Sequence, residues 1–147
     1  MKSLSRLLSK DRISWIESAS KDEALRSMVN LICRSAALTQ TDEIYHAILE
    51  RERLLSTGIG LNLAIPHAKL QGVKDFVVAL GIHSQGLPFE SLDDKPVHIL
   101  VMIVGPNFHQ EEYLKVLSRV TSFLKENREK ILGLKTPEEI FQLTMEY

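Results

Sequence analysis

Along this chain the apolar positions change their period. Residues 76–82 (FVVALGI) and 97–104 (VHILVMIV) are nearly continuous apolar runs, the pattern of strands covered on both faces. Elsewhere apolar residues recur at helical spacing. Leu25, Met28, Val29 and Ile32 predict a helix from about residue 21 to 34, with Ser20 and Glu23 in a capping-box pattern. Thr39 or Thr41 can cap a second helix with Tyr45, Ile48 and Leu49 on its inner face. Asp42 and Glu43 near its start and Arg51 and Arg53 near its end complement the macrodipole. Leu114, Leu117, Val120, Thr121 and Leu124 line a later helix, Gly133 can stop a short one around residues 128–132, and Thr136-Pro137-Glu138-Glu139 opens a last one to about residue 147. Residues 13–16 read as a short strand with Trp15 as a packing residue, while residues 4–8 are amphipathic but too short to assign. Turn chemistry falls at Ser84-Gln85-Gly86 and over residues 92–96. The alternation predicts helices on both faces of a mixed sheet.

One stretch stands out chemically: residues 56–69, STGIGLNLAIPHAK. Leu61, Leu63 and Ile65 alternate and suggest a short strand after a glycine loop. Pro66 fixes its own φ, lacks a backbone donor and pushes Ile65 towards extended geometry. His67 is therefore expected at the end of a strand on a stiffened turn, a suitable mounting for a reactive imidazole. A neutral imidazole can act as a nucleophile near pH 7 because its reference pKa is about 6.5. That requires the second ring nitrogen to be held as a donor, as a carbonyl would hold it. Amides around Gly58 and Gly60, or near His67, are expected to bind phosphate oxygens as a nest does. The second helix runs straight into this loop, which places Arg51 close to His67.

Other chemistries fail on context. Gly58-Ile59-Gly60 is not a dinucleotide loop: a helix precedes it, Leu63 stands at the third glycine, and Pro66 blocks a smooth helix start. No GxSxG elbow, P-loop or HExxH motif occurs. His46, His83 and His98 have no metal-ligand spacing and read as incidental, His98 as a satisfied histidine near a sheet end or edge. No cofactor or metal is expected.

The 147 residues suffice for one domain over residues 1–147 with a sizeable core. With 18 Lys+Arg against 19 Asp+Glu, nothing argues for nucleic acid or a membrane surface as partner. Cys33 is the only cysteine, which excludes an internal disulfide, reads as a buried helix residue and suits a reducing cytoplasm. The N-terminal MKSLSRLLSKDR has no signal-length apolar core, and the longest apolar run is too short to span a bilayer. A soluble, cytoplasmic protein is expected.

The pattern R-E-x-L-x-S-T-G-I-G-x-x-x-A-I-P-H, present from Arg51 through Ser56-Thr57-Gly58-Ile59-Gly60 to Ala64-Ile65-Pro66-His67, resembles the enzyme IIA domain of the bacterial sugar phosphotransferase system, of the fructose, mannitol and nitrogen-regulatory type. Asp94-Lys95-Pro96-Val97 and the Leu114-to-Leu117 run extend the resemblance over nearly the whole chain. It implies the mannitol-type IIA fold, an α/β architecture with a mixed five-stranded sheet between helical layers. It implies His67 as phosphoryl acceptor, Arg51 as phosphate stabiliser, and a small histidine phosphocarrier protein as partner. The family usually has a second histidine just before the Leu-x-x-Leu run; here that residue is Tyr113, with His109 four residues earlier. Tyr113 is expected to take part of that histidine's role. The chain most resembles the nitrogen-regulatory branch, and with no transporter segment in it a regulatory role is expected, acting on downstream proteins. A fructose- or mannitol-type transport component feeding a IIB domain, and a binding module of the same fold without transfer chemistry, are the alternatives.

Overall fold

The computed structural model describes residues 3–147; Met1 and Lys2, the start of the segment read as signal-free, lie outside the described residues. The chain runs α1 (Leu4–Leu7), β1 (Leu8–Trp15), α2 (Lys21–Ser35), α3 (Thr41–Leu54), β2 (Gly58–Gly60), β3 (Leu63–Ala64), β4 (His67–Leu70), β5 (Val77–Leu87), β6 (Val97–Pro106), α4 (Gln110–Gly133) and α5 (Pro137–Leu143), then a 3₁₀ turn, Thr144–Glu146. The sheet is mixed, in the order β1-β5-β6-β3-β2, with β4 also on β6. β1 and β5 are parallel, β5 and β6 antiparallel, β6 parallel to both β3 and β4, and β2 antiparallel to β3.

β3 and β4 are one strand line in two pieces. Leu63 faces Ile99 and Ala64 faces Leu100; beyond the break His67 faces Ile103 and Leu70 faces Pro106, with no slip between. The break is Ile65-Pro66, where proline cannot donate to the ladder; the Pro66 carbonyl still accepts from the Ile103 amide at 3.0 Å. Counted by lines, the sheet has the five expected strands.

The continuous apolar runs are buried on both faces because helices cover both. Val78, Leu80, Ile82, Ile99, Val101 and Ile103 pack with Val116, Val120, Phe123 and Leu124 of α4 and with α1 and α5. Their alternates Ala79, Met102 and Val104 pack with Leu25, Met28 and Ile32 of α2 and Ile44 and Ile48 of α3. This is the period-two arrangement of a doubly covered sheet.

Several local expectations are corrected. α4 runs unbroken to Gly133, so the separate helix at 128–132 is its last turn. Gln40, not a threonine, precedes α3; its inner face centres on buried Ile44 and Ile48, and Tyr45 and Leu49 pack half-buried on the same core as expected. Ser84-Gln85-Gly86 is not a turn but an irregularity inside β5, where Gly86 takes φ +92° and the register to β6 shifts. β1 begins at Leu8, well before residue 13. Ser20 does accept from the Glu23 amide, but Glu23 returns to Ala19, while Thr136 and Glu139 form a complete capping box.

Candidate functional site

His67 opens β4 within a strand line, rather than standing on a turn after a strand as the sequence suggested. β2 flanks only the β3 half of that line, so beside His67 the edge is left to α3 and α4. Residues 67 and 69 share one face of β4, and Ala68 packs on the opposite face with α2 and α3. The half-buried imidazole separates two depressions. One, about 460 Å³, is lined by Arg51 and Glu50 of α3, Lys69, and Gln110, Tyr113 and Leu117 of α4. The other, about 510 Å³, is bounded by Arg51, Leu55, Thr57, Gly58, Glu90 and Leu92.

The imidazole is oriented by its own strand. Nδ1 lies 2.8 Å from the Ile65 carbonyl oxygen, which can only accept, so Nδ1 carries the proton and Nε2 keeps its lone pair. Burial lowers the His67 pKa from its ordinary value; the Ile65 hydrogen bond opposes this, and the Arg51 and Lys69 charges add to the lowering. The ring is thus neutral at pH 7, with Nε2 unprotonated.

Arg51 lies where expected, lining both depressions with His67, while one of its NH groups donates to the Leu55 carbonyl at 2.8 Å. Arg53 is exposed. Tyr113 is buried, with its ring 5.9 Å from that of His67 and 5.8 Å from that of Phe76. Burial raises the pKa of its phenol, so it stays a neutral donor. His109 is not brought to this site: it precedes α4 with φ +65°, meets the Phe108 ring edge-on and lines a separate surface hollow with Glu111 and Glu112.

Two residues of this neighbourhood went unread in the sequence. The Lys69 ammonium sits 5.1 Å over the Tyr113 ring and donates to Gln110 Oε1 at 2.6 Å. Its signal is an i, i+2 spacing from His67, legible only once residues 67–70 are known to be a strand. Glu52, beside Arg51 at the end of α3, is buried and accepts from the Thr57 amide (2.7 Å) and Thr57 hydroxyl (2.8 Å), with the Lys21 ammonium 3.1 Å away. An acid in the last turn of a helix opposes the macrodipole, and that mismatch was the available signal.

The glycine stretch is not a phosphate nest. Gly58 and Gly60 pair with Ala64 and Leu63, and Leu61-Asn62, both at positive φ, make a tight hairpin turn. The surrounding amides are taken: Gly58 N by Ser56 Oγ, Leu61 N by Asp93. Gly58 is required by close approach instead, since a Cβ there would collide with the Glu90 carbonyl.

The other histidines lie away from this site. His98 Nδ1 bonds to the His83 carbonyl and His83 Nε2 to the Ser18 carbonyl. Among the described residues no group of His, Cys, Asp and Glu side chains could hold a metal ion, and no helix is long and apolar enough to cross a membrane.

A mixed sheet between two helical layers, with an uncharged imidazole on its strand edge between cationic side chains, is the class that this fold and site define. The model of the family described as "Phosphoenolpyruvate-dependent sugar phosphotransferase system, EIIA 2" matches residues 6–146, and the chain belongs to that family. It is 34% identical over 143 residues to the fructose-specific EIIABC component of Bacillus subtilis, covering 95% of this chain and 22% of that longer protein. It is 32% identical over 124 residues to the fructose-specific EIIA component of Haloferax volcanii, covering 83% of this chain and 80% of the relative. The nitrogen regulatory protein IIA-Ntr from Neisseria meningitidis has the same fold, with a TM-score of 0.89 at 27% identity over 97% of this chain and 99% of that one.

Proposed function

We propose that the protein accepts a phosphoryl group on His67 Nε2 from a phosphorylated histidine carrier and works in the cytoplasm as a regulator whose phosphorylation state selects its partners. The observation that carries this is the hydrogen bond from Nδ1 to the Ile65 carbonyl, which leaves Nε2 unprotonated. The Nε2 lone pair forms the new P–N bond as the donor P–N bond breaks. The donor ring, protonated on its other nitrogen, takes the bonding pair and leaves as neutral imidazole. The His67 ring becomes an imidazolium, its Nδ1 proton still held by Ile65. Transfer through a loose transition state needs positioning and charge stabilisation more than a base. Arg51 and Lys69 supply cations to the phosphoryl oxygens, and Tyr113 orders the ring and offers a neutral donor. Leu54, Leu55, Leu92 and Leu114, all strongly exposed around the two depressions, give a carrier an apolar rim to dock against.

Incubation with a phosphorylated small histidine carrier, followed by mass analysis, tests the proposal. The expected product is acid-labile and base-stable, and absent from His67→Ala; stoichiometric phosphorylation of His67→Ala refutes the assignment. The similarity to fructose-specific components supports a second reading, a transport IIA passing phosphoryl on to a cysteine of a IIB domain. Rapid transfer from phosphorylated protein to such a domain decides for transport. An unmodified parent protein decides for a binding module.

A further inference from the structure

In an antiparallel pair, two directly opposed residues of the hydrogen-bonded kind exchange both of their amide–carbonyl bonds. Thr57 and Ile65 stand opposite each other just beyond the pairing of Gly58 with Ala64. Only half of their exchange is made. The Ile65 amide donates to the Thr57 carbonyl at 3.1 Å, but the Thr57 amide turns to Glu52 Oε1 at 2.7 Å. The Ile65 carbonyl, left without its strand partner, takes His67 Nδ1 at 2.8 Å. On the other side of the same line the Pro66 carbonyl is engaged by Ile103. The carbonyl that orients the imidazole is available because a carboxylate has claimed the amide that would otherwise fill it.

We propose that Glu52 is a positioning residue for His67: by holding the Thr57 amide and hydroxyl it keeps the Ile65 carbonyl free and so fixes the tautomer with Nε2 unprotonated. Lys21, 3.1 Å from Glu52, 3.2 Å from Glu90 and over the Phe89 ring at 4.2 Å, holds the carboxylate in place. The influence on chemistry passes through two backbone groups, and Glu52 touches no reacting atom. Without an acceptor at position 52 the Thr57 amide closes onto Ile65 as an ordinary strand pair. Nδ1 then loses its acceptor, and the neutral ring shifts towards the tautomer protonated at Nε2, which cannot attack phosphorus.

This inference rests on His67 as the acceptor, and its test separates the two. The ¹⁵N chemical shifts of the His67 ring are recorded above its pKa, without any phosphoryl donor, for the parent, Glu52→Met, Glu52→Gln and Thr57→Ala. The parent is expected as the Nδ1–H tautomer. Glu52→Met is expected to move towards Nε2–H. Glu52→Gln, whose carbonyl oxygen can still accept from the Thr57 amide, and Thr57→Ala, which keeps that amide, should both stay near the parent. With a phosphorylated carrier, the maximal transfer rate of Glu52→Met should fall about tenfold or more while half-saturation by carrier stays the same. A parent protein already in the Nε2–H form overturns the inference even if Glu52→Met fails to fold. So does a folded Glu52→Met with parental shifts and rate. A parent with the expected tautomer that accepts no phosphoryl group refutes the functional reading and leaves this one standing.

Discussion

Replacing Lys69 by glutamine removes one of the two cations beside His67 without emptying any packed volume, since Lys69 is exposed. The ammonium is nonetheless placed: Gln110 Oε1 holds it at 2.6 Å and the Tyr113 ring lies 5.1 Å beneath it. Among the described residues no carboxylate is within ion-pair distance of it. Two unit charges about 5 Å apart interact by roughly 1 kcal/mol in bulk water and about 3 kcal/mol in the intermediate dielectric near a protein surface. An exposed lysine, screened by solvent, belongs in the lower half of that range, about 1–1.5 kcal/mol against the doubly charged group in transit. That corresponds to a maximal transfer rate about five- to tenfold lower in Lys69→Gln, read by rapid quenching with a phosphorylated carrier. Lys69→Arg should recover most of the rate, and Gln110→Ala, which releases the ammonium without removing it, should fall between. The loss should persist at saturating carrier, because the charge acts on the phosphoryl group rather than on docking. A Lys69→Gln rate within twofold of the parent, or a defect confined to half-saturation, refutes the reasoning.

Other predictions follow from the same geometry. The His67 pKa is lowered chiefly by burial, so the unfolded chain binds the proton more readily than the folded one. Its contribution to stability is therefore present above about 6.5 and lost as pH falls through the folded value; an NMR titration midpoint at or above 6.5 would contradict this. Tyr113→Phe keeps the buried ring and loses the hydroxyl, a change worth about 1 kcal/mol and about a fivefold slower transfer, whereas His109→Ala should leave transfer unchanged; the opposite pattern in a transfer assay reverses the assignment. Glu52→Ala leaves Lys21 with only the exposed Glu90 and the buried Thr57 hydroxyl without its acceptor, and should cost about 1–3 kcal/mol in urea unfolding, with Lys21→Met coupled to it rather than additive. Leu61, exposed and at φ +58° in the hairpin turn, tolerates Asn better than Leu, so Leu61→Asn should stabilise by about 0.5–1 kcal/mol in the same assay.

The layers and the order of elements were legible because both periods are strong here: α2 begins where Ser20 says it should, and β5 and β6 read as doubly covered strands. Boundaries failed where a local signal had a different tertiary use. Gly86 looks like a turn residue, yet it lies inside β5, where a Cβ would press on Pro96 and His98 at 3.1–3.2 Å. Gly58 and Gly60 suggested an anion nest, yet one makes room for the Glu90 carbonyl and the other takes φ +86° at a hairpin. Position along the chain predicted that Arg51 would approach His67. Lys69 escaped notice because its meaning depends on residues 67–70 being a strand, and Glu52 because its helix-end mismatch names no partner across the chain.

The tyrosine in place of the family's second histidine changes what the site can sense. A histidine there would titrate in the physiological range and make the charge around the phosphoryl group depend on pH. Tyr113 cannot, since burial pushes its phenol upward, away from neutrality. In the proposed mechanism the cation comes instead from Lys69, which shares a strand face with His67 and reaches over the Tyr113 ring to Gln110, the first residue of α4. Of His67 and Tyr113, only His67, the proposed acceptor, titrates near neutrality. Once His67 has lost its proton, Tyr113 should therefore add no further pH step to the acceptance rate near neutrality. Replacing Tyr113 by histidine should add a second, separate pH step to that profile.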